Sequence, residues 1–564
     1  MSNHRYHLCA LAVAAAFGVA GCGGGGSGGG TALPTGVVNV QATDAPSKDF
    51  DHVWVTVQGF RLHQSNDVPV SDPNWLSYPL SAPITLDLAS LYNGNLATLF
   101  QNQNIPAGTY QQIRLLLVGD NAPLTSSAQS FGLTYNDQVN WTDTTGSHFA
   151  ALEIASPIDG IGLNGTFTLV SGTPLELVVD FDVGHDVVKF LHGGNNAYTL
   201  KPNLQYFDLA QAGAVKGSVA TTNLCSMTGP VVATEPATCA YNLVIKAEQV
   251  SNDLSHHVAT RFTTIDANGN FTLYPVRVPP NLASTNIDVL VRGRNMDTIL
   301  VRGVPVNAGT SPTNNPSLVS VDPLPLTIDG NEYLANASVG LSPTGAWVNF
   351  YQTLSNTGLQ ELPYEVRYRH VNPFTGVFTD DIPLSLGPIW LGGFVLGGDP
   401  TLVSNTPTQG LGGFLVAASA LGYQWTAASS GNLTGTAGNV STFTMPASLA
   451  VPTGTSYDSI SGNIAQAVPG TYDSGYLVAV RMGTIVTTIP ISTILTSNGG
   501  AGGSYTVSNL PGGSPAQNLP GAFYYLYARV WNSANPLTTL KRIDVSGYAD
   551  LRAGSASGMN VTLN

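Results

Sequence analysis

Charge is what this sequence has least of. Asp, Glu, Lys and Arg make up 10% of its 564 residues, against roughly 25% in ordinary soluble proteins. There is no basic run, and the net charge is −14. The positive footprint that a nucleic acid requires is missing, so nucleic-acid binding is excluded. Beyond the N-terminus no stretch approaches ~18 unbroken apolar residues, so no later segment reads as a membrane-spanning helix. Zinc needs three or four ligands at recognisable spacing. Neither Cys-x-x-Cys nor His-x-x-x-His occurs, and the 10 histidines are scattered. They read as isolated surface residues.

What is present is turn chemistry. The chain carries 62 Gly and 36 Pro, and these punctuate short alternating runs that read as strands. The expectation is an all-β chain. At about 100–200 residues per domain, its length calls for several domains.

The N-terminus has its own character. His4, Arg5 and His7 precede an apolar run from Leu8 to Val19, too short for the ~20 helical residues that cross a bilayer and placed as in a secretion signal. Its end, Val19-Ala20-Gly21-Cys22, resembles the lipobox of bacterial lipoproteins. The resemblance implies a signal over 1–21 and Cys22 as the lipidated mature N-terminus. Gly23 after it, where Asp would signal retention, implies the outer membrane of a Gram-negative cell. Residues 22–35 then form a glycine-rich tether. The Gly25-Gly26-Ser27-Gly28-Gly29 within it matches G-x-S-x-G, but it lacks the strand and helix that a nucleophile elbow requires.

From Gly36 the strands begin. Val53, Val55 and Val57 alternate on one face. In order come Thr43-Asp44-Ala45-Pro46, Leu86-Asp87-Leu88, Pro106-Ala107-Gly108-Thr109-Tyr110-Gln111-Gln112-Ile113-Arg114, Asp180-Phe181-Asp182 and Leu200-Lys201-Pro202. That series resembles the bacterial domain-of-unknown-function 4382 family over 36–208. The resemblance implies an all-β domain behind a lipid anchor, and no activity.

Two later stretches match each other. Val215-Lys216-Gly217-Ser218-Val219, Gly269-Asn270-Phe271-Thr272-Leu273 and Ile287 to Arg292 correspond to Ile460-Ser461-Gly462-Asn463-Ile464, Gly503-Ser504-Tyr505-Thr506-Val507 and Tyr524 to Arg529. The pattern resembles transthyretin-like, carboxypeptidase-regulatory-like sandwiches over 212–325 and 456–564. Between them, 326–455 is β-rich without a family resemblance. Leu391-Gly392-Gly393-Phe394 recurs there as Leu411-Gly412-Gly413-Phe414, and glycine bends between buried strands are the plainer reading. With Cys9 in the signal and Cys22 the lipid site, Cys225 and Cys239 remain. An even pair on an exported domain implies a disulfide.

Three places hold possible chemistry. Asp180, Asp182 and Asp186 place carboxylates at i, i+2 and i+6 and are the candidate calcium ligands, although the roughly 12-residue loop with its closing Glu is missing. Asp266-Ala267-Asn268-Gly269-Asn270 offers oxygens too, but Asn-Gly is first a hairpin turn. Tyr524, Tyr525 and Tyr527 are the candidate ligand-binding residues, because exposed rings with polar tips suit sugars or proteins. No serine or cysteine is nominated as a nucleophile, and no cofactor is implied. The sequence therefore reads as a multidomain array of antiparallel β-sandwiches behind a lipoprotein signal and tether. Its expected role is non-catalytic, binding glycans or proteins at the periplasmic face or the cell surface. The alternative is a structural spacer of the envelope, and an envelope hydrolase stands behind both.

Overall fold

The computed structural model describes residues 34–564, with longer breaks at 226–238, 314–333, 355–360, 406–414, 428–439, 443–448 and 513–522 and shorter ones of one to four residues elsewhere. Cys22, the glycine run and Leu411-Gly412-Gly413-Phe414 lie outside the described residues. About 56% of the chain is strand and 6% helix, in many separate sheets. The protein is all-β, as its turn-rich composition implies.

In the N-terminal unit a four-stranded sheet faces a larger one. The first runs in the order Gln205–Asp208, Leu175–Phe181, Thr35–Asp44, Ala97–Pro106. Thr35–Asp44 pairs in parallel with Leu175–Phe181, with Asp44 opposite Phe181. The second is built around His52–His63. The alternation read from sequence holds there: Val53, Val55 and Val57 all point inward, fully buried, into a core shared with Val38, Val40, Leu177 and Phe181.

The two matching stretches share one pairing scheme. Ala212–Ser218 pairs with Asn270–Arg277, while Tyr241–Val250 pairs with both His257–Thr263 and Ser284–Arg294. Near the C-terminus Tyr457–Gln466 pairs with Gly502–Pro511, and Ser474–Arg481 pairs with both Thr484–Pro490 and Phe523–Trp531. At the expected hairpin, Asp266 Oδ1 accepts from the backbone N–H groups of Asn268 and Asn270, both at 2.8 Å. Gly269 has φ +82°, and a Cβ there would lie 2.2 Å from the Val219 carbonyl oxygen. Only glycine fits that turn. Cys225 and Cys239 are joined by a disulfide.

Strand pairing crosses the expected divide near residue 325. Ile389–Gly393 adds in parallel to Thr298–Asn307, and Val403–Asn405 continues that sheet. One core then runs from Leu290 and Leu300 through Val348, Phe350 and Val416 to Ile460, Leu477, Tyr524 and Leu563.

Candidate functional site

Two of the family-like motifs of the N-terminal unit meet at one end of its sandwich, because the parallel pair brings Thr43-Asp44 beside Asp180-Phe181. The three aspartates suggested as calcium ligands have organic partners instead. Asp180 is ion-paired with Arg261 of the second unit. Arg261 Nη2 also donates to Thr43 Oγ1 and to the Asp44 carbonyl, both at 2.9 Å. Asp182 accepts from the Tyr368 hydroxyl, and Asp186 Oδ1 lies 3.6 Å from His370 Nε2. No group of three or more metal-ligating side chains forms among the described residues. The acidic motif is a docking surface for two later units. The sequence could not say so, because its partners lie far along the chain.

Burial sets the electrostatics of this cluster. Asp44 is fully enclosed, with Oδ1 accepting from the Val183 N–H at 3.0 Å and Oδ2 unpartnered. Desolvation holds its carboxyl well above the usual range, and Asp182 and Asp180 push it the same way. Lys201 is equally enclosed. Its Nζ lies 2.7 Å from His370 Nδ1 and 5.6 Å above the Trp347 ring. Burial brings its pKa down to about 7 against the pull of Asp186. Lys201, Trp347, His370, Gly162 and Met482 line a small cavity with room for about one water molecule.

The tyrosine strand is a correction to the sequence reading. Phe523–Trp531 runs between Ser474–Arg481 and Lys541–Asp544, so neither of its edges is free. Tyr524 is fully buried in the C-terminal core and donates to the Pro511 carbonyl at 3.0 Å. Tyr527 is fully buried on the opposite face and donates to Glu153 Oε1 of the N-terminal unit at 3.1 Å. Tyr525, half-buried, lies beside Tyr527 and Tyr548. Around them Arg529 is ion-paired with Glu153, and Arg542 donates to the carbonyls of Ile154 and Ala155 at 2.9 and 2.6 Å. This row is an interface and not a ligand platform.

His256 and His257, expected at the surface, are also buried. His256 stacks on Trp425 at 4.7 Å and His257 on Tyr364 at 3.9 Å. Desolvation lowers the pKa of both.

A different aromatic row remains open to solvent. With Val53, Val55 and Val57 turned inward, His52 and Trp54 must face outward. Across the sheet His52 is in register with Asn140, and Asn140 with Phe149. Phe131, closing the short helix Ser126–Ser130, lies against Trp54 with ring centroids 4.8 Å apart. His52 stacks on Trp54 at 5.6 Å. Phe131 and Phe149 are 52% and 55% exposed, which is far from the usual burial of phenylalanine. Polar groups rim the row: His52 Nδ1 lies 2.8 Å from Asp87 Oδ2, and Asn140 Oδ1 accepts from Nε2 of the buried Gln138 at 2.9 Å. The signal was present in the sequence, since one face of this strand fixes the other.

Comparison with known families matches residues 35–202 to the family described as "Domain of unknown function (DUF4382)". Comparison with curated proteins finds no match. Among solved structures, the chain is similar to the Bacillus anthracis TIE protein at 9% identity, over 95% of this chain and 75% of that one, with a TM-score of 0.13. It is similar to the major pilin SpaA of Corynebacterium diphtheriae at 8% identity, over 74% and 99%, with a TM-score of 0.12. A leucine-rich repeat protein from Bacteroides thetaiotaomicron aligns at 13% identity over 49% and 25%, with a TM-score of 0.12. Similarities at such TM-scores carry no argument about function.

Proposed function

We propose that this chain, whose first unit matches the DUF4382 family, is a non-catalytic, lipid-anchored outer-membrane protein that binds glycans through the open aromatic row of that unit. The observation that carries the reading is the adjacency of His52, Trp54 and Phe131, with Phe149 two strands away on the same face. Sugar rings stack on flat aromatic faces, and the Asp87 and Asn140 side chains at the rim suit hydroxyl groups. The anchor rests on Val19-Ala20-Gly21-Cys22. The later units are read as transthyretin-like modules that hold the first one in place.

The test is a glycan array followed by titration of each hit against the intrinsic fluorescence of Trp54 and its neighbours. Saturable binding that weakens in Phe149→Ser supports the reading, and an array without hits removes it. A second reading, a structural element of the envelope, draws on the docking of the first unit against each later one through Arg261, His370 and Arg529. Protease shaving of intact cells, with a periplasmic protein as control, separates surface display from a periplasmic role.

A further inference from the structure

Between the second unit and the strands that follow it lies a buried group that neither reading uses. Lys246 and Glu248 are two residues apart on Tyr241–Val250 and share its outer face. Tyr364–His370 and Trp347–Gln352 cover that face and contribute Glu365 and Asn349. All four side chains are buried. Lys246 Nζ lies 3.1 Å from Glu365 Oε1, and Asn349 Nδ2 donates to Glu365 Oε2 at 2.9 Å. One carboxylate thus contacts both an amine and a primary amide.

The surroundings are apolar and incompletely satisfied. Lys246 is flanked in register by Phe262 and Leu290, with Nζ 5.3 Å from the Phe262 ring. Asn349 Oδ1 and Glu248 Oε1 are buried without hydrogen-bond partners. Burial pushes the Glu248 carboxyl well above the usual range, with Glu365 adding repulsion. A buried ion pair of this kind is a poor source of stability, because desolvation offsets its attraction. Conversion of the cation to a neutral amide would remove that cost.

We propose that Lys246 and Asn349 join in an intramolecular isopeptide bond, with Glu365 as the proton shuttle. The proton on the Lys246 ammonium passes to Glu365 Oε1, and the freed lone pair forms a bond to Asn349 Cγ. The Cγ–Nδ2 bond then breaks. A second Nζ proton travels through Glu365 to the departing nitrogen, which leaves as ammonia, and Glu365 ends neutral and protonated. No oxidant or cofactor enters the balance. Holding both groups on one carboxylate supplies the proximity that replaces a bimolecular encounter.

The test is peptide mapping of the full-length protein by mass spectrometry. The expected result is a linked peptide pair whose mass is the sum of the two less one ammonia, with fragmentation placing the junction at Lys246 and Asn349. Recovery of both peptides separately from the wild-type protein overturns the proposal. Glu365→Gln is expected to abolish the linked species. Linkage at the wild-type level in that variant overturns the role given to Glu365. Asn349→Asp loses water in place of ammonia and is expected to give a linked peptide identical in mass to the wild-type one.

Discussion

Arg529 of the C-terminal unit is ion-paired with Glu153 of the N-terminal unit, across 376 residues of chain. Its guanidinium also stands 4.8 Å from the Phe190 ring, which stacks on Phe374 at 4.2 Å. Three units meet at this point. Removing the cation strands a buried carboxylate, which costs about 3–5 kcal/mol. Arg529→Met is therefore expected to lower the thermal midpoint and expose the inter-unit surface to limited proteolysis. Glu153→Gln added to it is expected to restore most of the loss. A single variant as stable as the wild type would show that the units are held by other contacts.

Lys201 predicts a rise in stability with pH. Its folded pKa is down to about 7, while the unfolded chain keeps the ordinary 10.5. Between those values the unfolded state binds more protons than the folded one, so stability increases as pH rises; below about 7 both states are protonated and the term is flat. The groups facing Lys201 are Asp186, His370 and Trp347. Unfolding midpoints measured from about pH 7 to about pH 10 are expected to rise in the wild type. Lys201→Met, of similar volume without the charge, is expected to flatten the rise, and equal slopes would contradict the assignment.

The Cys225–Cys239 disulfide closes a short loop, with a sequence separation of 14. Chain entropy assigns such a loop a stabilisation of about 3 kcal/mol. Reductant is expected to lower the denaturant midpoint of the wild type and to leave a Cys225→Ser, Cys239→Ser double variant unmoved.

Phe131 and Phe149 separate binding from folding. Both rings are more than half exposed; Phe149→Ser is expected to change stability by no more than about 0.5 kcal/mol, and Phe131→Ser by about 0.5–1.5 kcal/mol through its lost contact with Trp54. A lost stacking contact of about 0.5–1.5 kcal/mol corresponds to a weakening of glycan binding of up to about tenfold. Unchanged affinity in both variants would relocate the site.

What could be read from sequence is what neighbouring residues dictate to one another. The inward valines at 53, 55 and 57, the turn at Asp266-Ala267-Asn268-Gly269-Asn270 and the cysteine pair needed only local spacing. Alternation also divided the tyrosine strand correctly, with Tyr524 on one face and Tyr525 and Tyr527 on the other. It could not tell that a second unit covers the latter face, because Glu153 is 374 residues from Tyr527. The same holds for Asp180, Asp182 and Asp186. An acidic run looks alike whether water, calcium or Arg261 awaits it, and only tertiary pairing distinguishes these. The Trp54 row was missed for the opposite reason. Its geometry was implicit in the valines, but exposure depends on no other unit packing there.

The closure of the last unit on the first sets an order of events during synthesis. Glu153, Ala155 and Asp159 are among the earlier residues to be made, yet their partners Arg529, Arg542 and Tyr548 follow 376, 387 and 389 residues later. The N-terminal sandwich must therefore wait with this surface bare until nearly the whole chain has emerged. Contacts so distant in sequence make folding slow, and waiting apolar and charged surfaces are the ones that associate wrongly. Truncation near the C-terminus should accordingly harm the beginning of the molecule as much as its end.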